Sequence, residues 1–174
     1  LGCKNLTAHV YFLTPTTAGE RQRKAFAVSL QTAMQAALGL SQLERMSELL
    51  AYKQEVGSYY QDGMRDWTGI TRPMTTYRGS ENVYWVYGIV LPPSHPLSAQ
   101  QAMDSLAKKG IGTRPFFYPL HLQPVLAKYG FSYQKPLPES EWLGDKGFYL
   151  PNGADLTHSQ LDYITQSVRQ IVGA

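Results

Sequence analysis

The sequence predicts an α/β architecture, a small sheet with helices packed on it. Three observations carry that expectation. Thr32 to Asp62 holds good helix formers, no proline, and apolar residues at helical spacing. Asn82 to Leu91 is a β-branched and aromatic run closed off by Pro92 and Pro93. Ser98 to Lys109 and Thr157 to Gly173 each open on a hydroxyl residue with Gln three places on, the pattern of a capping box.

In chain order, residues 1–31 form a poorly specified head. Thr14 to Gly19 reads as a turn, and neither Val10 to Leu13 nor the basic segment after it holds a period. The long amphipathic helix from Thr32 presents Leu40, Leu43, Met46 and Leu50, then Leu49, Val56 and Tyr60. Gly63, Gly69 and Pro73 end it and leave Ile70 to Arg72 as a short extended segment. The run Asn82 to Leu91 is expected as a central, mostly buried strand. Ala102, Met103 and Leu106 give the next helix its buried face, and Gly110 stops it. Ile111 to Tyr118 is extended and aromatic, and leads into Pro119-Leu-His-Leu-Gln-Pro124, a loop stiffened by its two prolines. Ser140 to Lys146 reads as a short helix and Phe148 to Leu150 as a short strand. Leu161, Ile164, Val168 and Ile171 repeat at helical spacing in the last helix.

At 174 residues with 43% hydrophobic and 17% charged, the chain can enclose one core, placed by this reading in residues 32–174. The net charge of +3 is spread along the chain, which argues against a nucleic-acid partner. Cys3 is the only cysteine, so no internal disulfide or Cys-based zinc site forms. The sequence has no apolar run of about 18 residues and no signal-peptide pattern. No membrane partner and a cytoplasmic location are expected.

One cluster carries chemistry. Arg114 offers a planar fork for a carboxylate or phosphate, and Tyr118 and His121 follow within eight residues. The three make a candidate anion site, with His121 on a proline-bounded platform suited to a donor or proton carrier. Spacing alone allows a plainer reading equally well, in which Arg114 pairs with a surface carboxylate and His121 caps a loop. Trp85, Phe116, Phe117 and the tyrosines read as core and interface. Gly110-Ile-Gly-Thr-Arg-Pro115 is no dinucleotide fingerprint, because it follows a helix and has proline where the third glycine is required. His9, His95 and His158 lie far apart, so no metal is expected. Asp104, Asp145, Asp155 and Asp162 show no paired spacing.

Four segments, Thr32 to Arg45, Glu81 to Leu91, Gly110 to Pro124 and Gly147 to Asn152, resemble in this order the C-terminal part of the DegT/StrS-type sugar aminotransferases. The resemblance implies the C-terminal small domain of a fold type I transferase that depends on pyridoxal phosphate. It implies a homodimer that moves an amino group from glutamate to a keto group on a nucleotide-linked sugar. It also places Arg114, Tyr118 and His121 at the mouth of the active site, as substrate-binding residues.

The family's Schiff-base lysine has no matching motif here, since Lys4 with Thr7 lacks its context, and the aspartate for the pyridine nitrogen is unmatched. Val28-Ser-Leu-Gln31 stands where the family has Asn-Tyr-Arg-Met. The abrupt change at Thr32 points to a truncated or frame-disrupted gene in which residues 1–31 need not be original coding sequence. The chain alone is expected to have no catalytic residue, to bind no pyridoxal phosphate and to be inactive. The competing reading is a free-standing α/β module that binds a small molecule or a partner without catalysis.

Overall fold

The computed structural model describes residues 32–130, 135–153 and 155–173. The head, with its expected turn at Thr14 to Gly19 and with Cys3, Lys4, His9 and Val28 to Gln31, lies outside them. The chain divides into two units, Leu1–Glu48 and Leu49–Ala174.

In the first unit, helix α1 spans 32–44 and ends at a turn residue, Arg45. Arg45 forks onto Glu48, with Nε donating to Oε2 at 3.0 Å and Nη2 to Oε1 at 2.9 Å. The expected single helix is therefore two, the second being α2, Met46–Gly63. The break separates two kinds of surface. Met34, Leu38, Leu40 and Leu43 are all more than half exposed, whereas Val56 and Tyr60 are buried. Packing of an apolar face supplies most helix stability, and among the described residues Val56 and Tyr60 give α2 such a face.

In the second unit, a hairpin of β1 (Thr76–Tyr77) and β2 (Ser80–Glu81) turns at Arg78 and Gly79, both at positive φ. A three-stranded antiparallel sheet follows, with β3 (Tyr87–Val90), β4 (Arg114–Pro115) and β5 (Gly147–Leu150) in the order β3-β5-β4. The expected central strand is thus a short edge strand, and the short strand near the C-terminus is central. Tyr84 is the reason for the shortening. Its φ of +46° breaks the extended run, and its N–H goes to Asn82 Oδ1 at 2.8 Å, away from any ladder. Of the extended segment at Ile70 to Arg72, one bridge forms, Thr71 with Val90.

Both capping boxes form, on α3 (Ala99–Ala107) and on α6 (His158–Val172). Gly110, at φ +76°, ends the turn after α3 and releases the chain toward β4, a conformation an L side chain resists. The proline-bounded loop holds a 3₁₀ turn, Leu120–Leu122, and then an unexpected helix α4, Pro124–Lys128. Helix α5, Pro138–Lys146, runs directly into β5.

One sheet face, with Tyr87, Ile89, Phe148 and Leu150, is buried in a core shared with Val56, Tyr60, Ala102, Leu106, Leu161 and Val168. This is the expected architecture, a small sheet with helices packed on it. On the other face Gly88, Tyr149 and Arg114 share one row, set by the pairings Gly88 with Tyr149 and Arg114 with Tyr149.

Candidate functional site

The open sheet face continues into the segment after β5, and α2 fixes that segment. Tyr60 Oη donates to the Pro151 carbonyl at 2.8 Å, Tyr52 Oη donates to the Leu156 carbonyl at 3.0 Å, and Lys53 Nζ donates to the Asn152 carbonyl. Burial pushes the Tyr60 hydroxyl well above the ordinary tyrosine range, so it stays a donor. Burial also draws the Lys53 ammonium below its usual value.

Asn152 in turn donates from Nδ2 to the Tyr84 carbonyl at 2.6 Å. Tyr84 is therefore held on both sides of its left-handed backbone, by Asn82 at its N–H and by Asn152 at its carbonyl. Its ring is buried and stacks on Tyr87 at 5.9 Å between centroids. The next residue, Trp85, stands 63% exposed.

Trp85, Val86, Gly112, Arg114, Tyr149, Leu150, Pro151 and Asn152 line a cleft of about 210 Å³. Among the described residues the Arg114 guanidinium makes no hydrogen bond or ion pair. Among the described residues no carboxylate pairs with it, where the plainer reading expects one. A larger depression of about 430 Å³ is lined by Gly110, Ile111, Leu156, Gln160, Tyr163 and neighbours, none of them charged. Its polar groups are already engaged: Gln160 closes the α6 capping box and Tyr163 Oη donates to the Lys109 carbonyl at 3.0 Å. Of these two, the smaller cleft has the charged lining residue, Arg114.

Tyr118 and His121 are not among the residues that line it. Tyr118 is 58% exposed on the loop after β4. His121, on the 3₁₀ turn, keeps only 9% of its side chain exposed, and its Nε2 donates to Glu141 Oε1 at 3.0 Å. The same oxygen accepts the Leu137 N–H at 3.2 Å. The hydrogen bond from His121, and after it that from Leu137, holds the Glu141 carboxyl below the ordinary carboxylate range. Pro119 is buried and anchors this loop against Gly144, where a Cβ would lie 2.8 Å from the proline ring. The structure thus gives His121 a fixed partner on α5 and sets Arg114 in the open cleft.

Trp85 and Asn152 are the cleft residues that sequence reasoning missed. A signal for them exists in Asn82, whose side chain caps the N–H two residues on and so breaks the strand that alternation suggests.

Three of the described lysines are already engaged in hydrogen bonds. Lys53 and Lys146 are committed to backbone carbonyls, the latter to His95 and Leu97 at 3.0 Å each, and Lys109 is bound to Gln170. Neither cleft is lined by a lysine. The N-termini of α3 and α6, where a phosphate could sit, are closed by their own capping boxes. Among the described residues no helix is long and apolar enough to cross a membrane.

Residues 16–169 match the DegT/DnrJ/EryC1/StrS aminotransferase family. The chain is 32% identical to a GDP-perosamine synthase of Caulobacter vibrioides over 142 residues, 81% of this chain and 37% of that protein. It is also 32% identical to a GDP-perosamine synthase of Escherichia coli O157:H7 over 138 residues, 78% of this chain and 35% of that protein. The chain spans little more than a third of the length of these relatives. A putative sugar aminotransferase from Streptococcus pneumoniae, in its PMP form, has the same fold, with a TM-score of 0.71 at 22% identity over 79% of this chain and 34% of that one. The match over most of the chain's length, on the architecture described, makes this protein a member of the DegT/DnrJ/EryC1/StrS aminotransferase family.

Proposed function

We propose that the chain is the C-terminal small domain of a sugar aminotransferase of the perosamine type, which takes an amino group from glutamate and delivers it to a keto sugar carried on a nucleotide. The complete enzyme is a cytoplasmic homodimer that uses pyridoxal phosphate, and this part of it supplies substrate contacts only. One observation carries the reading: a guanidinium with no partner among the described residues, Arg114, stands in an open cleft on a chain related to two GDP-perosamine synthases. A diphosphate is the anion that such a substrate brings, and a planar fork is the side chain that binds it in two-point fashion. Tyr118 and His121 stand on the loop beyond and contact the rest of the substrate, with Glu141 fixing the imidazole.

The test is direct. Incubated with pyridoxal phosphate, glutamate and a GDP-linked keto sugar, the chain is expected to form no amino sugar and to retain no coenzyme after borohydride reduction and dialysis. Amino sugar in the product, or one lysine stably modified, refutes the small-domain reading.

A further inference from the structure

We propose that the cleft beside Arg114 is a nucleobase subsite, in which the Trp85 indole stacks on the base while Arg114 takes the attached diphosphate. The inference rests on the proposed function and deepens it by naming where the nucleotide's ring lies.

The backbone supplies the first argument. In a regular strand Trp85 would share a face with Tyr87 and Ile89, both fully buried. The left-handed Tyr84 reverses this assignment. It sends its own ring into the core and leaves the indole outside. A bulky residue in that conformation is strained, and it persists only because Asn82 and Asn152 hold both of its peptide groups. Strain of this kind gathers at binding sites, and its effect here is to present the largest side-chain type to solvent at the edge of a cleft.

The cleft's size and chemistry supply the second. At about 210 Å³ it is smaller than the roughly 300 Å³ at which pockets begin to enclose a whole drug-sized ligand, so it fits one ring system and not an entire nucleotide sugar. Among the described residues the indole has no ring contact or hydrogen bond, and the guanidinium has none either. A flat ring with phosphates attached matches the indole face and the guanidinium together.

The experiment titrates the 174-residue chain with GDP, inorganic pyrophosphate and mannose 1-phosphate, reading heat and tryptophan emission. GDP is expected to quench the emission of the wild type and not that of Trp85→Phe. Trp85→Ala is expected to weaken GDP about fivefold or more and to leave pyrophosphate unchanged. Trp85→Phe keeps a stacking face and is expected to retain most of the GDP affinity, which guards against a loss caused by misfolding. Arg114→Lys is expected to weaken both GDP and pyrophosphate. Unchanged GDP affinity in Trp85→Ala, with both ligands still weakened by Arg114→Lys, overturns the base subsite and leaves the anion site standing. Mannose 1-phosphate quenching as GDP does, and weakened by Trp85→Ala, overturns the assignment of the ring to the base. Indifference of both ligands to Arg114→Lys, or no binding by the wild type, overturns the anion reading and this inference with it.

Discussion

Gly147→Ala tests whether the sheet that carries the cleft is as tightly built as its geometry implies. Gly147 opens the central strand β5 and pairs with Val90, and its carbonyl accepts the Phe116 N–H at 3.2 Å. A Cβ placed there would lie 2.4 Å from Phe116 Cδ2, 2.7 Å from Phe116 Cε2 and 2.5 Å from the Leu143 carbonyl oxygen. The carbonyl is backbone at the end of α5 and cannot turn aside. The phenyl ring is stacked on Tyr149 at 4.5 Å between centroids, so moving it disturbs the row that holds Arg114. Forcing a methyl into filled space costs about 1–3 kcal/mol. Glycine to alanine by itself gains about 0.4–1 kcal/mol by stiffening the unfolded chain. The net expectation is a loss of roughly 1–2 kcal/mol, a fall in Tm of about 2–8 °C for a chain of this size. Gly69→Ala is the control, because nothing lies within 4 Å of its Cβ and its φ is not positive. It is expected to be neutral or slightly stabilising. Urea and thermal melts of the three proteins decide the matter. A Gly147→Ala chain as stable as the wild type would show that the Leu143 carbonyl and Phe116 can move aside cheaply, and the packing argument would fail.

Two further outcomes follow from the site loop and from α1. The depressed Glu141 pKa means that its bond to His121 stabilises the fold above the ordinary carboxylate value of 4.5 and ceases to do so as pH falls through the lower folded value. The Tm gap between wild type and Glu141→Gln is therefore expected to shrink as the pH is taken from 7 to below 4.5, and a gap that holds constant refutes the link. The exposed leucines of α1, with Phe117 at 78% exposure, predict self-association. Replacing Leu40 and Leu43 with Gln is expected to reduce it in sedimentation velocity, and a wild-type chain that sediments as a clean monomer at high concentration removes the basis for that expectation.

What the sequence reveals depends on how local the deciding interaction is. The capping boxes at Ser98 and Thr157 close within four residues, and both form as expected. Gly110 likewise declares the end of the turn after α3. The rank of a strand within the sheet is settled by partners some 60 residues away. Hence Asn82 to Leu91, the most strand-like run by composition, becomes an edge while the four residues at Gly147 take the centre. The hairpin at Thr76 to Glu81 has Arg-Gly at its turn in place of the usual Asn-Gly, which hides it. Arg114 is a candidate in the sequence because guanidinium chemistry shows in the residue type. Trp85 reads as core and interface by its aromatic type, and the Asn82 and Asn152 side chains, which hold the left-handed Tyr84, leave it exposed.

Those two asparagines also explain why the cleft is fixed while its lining residues belong to separate segments. The Trp85 wall hangs from Tyr84, whose ring lies across Gly57 of α2 so closely that a Cβ there would be 2.2 Å from two ring carbons. The Asn152 wall hangs from the same helix through Lys53 and Tyr60. The Arg114 wall is set by β5, through its pairing with Tyr149, and β5 runs directly into Pro151 and Asn152. All three walls are therefore tied by hydrogen bonds, ring packing or strand pairing to α2 or β5, and both elements contribute side chains to the buried core. A site held in this way needs little ordering when a ligand arrives, so its affinity reflects the contacts themselves. That is the physical reason to expect single substitutions at Trp85 and Arg114 to report on stacking and on charge separately.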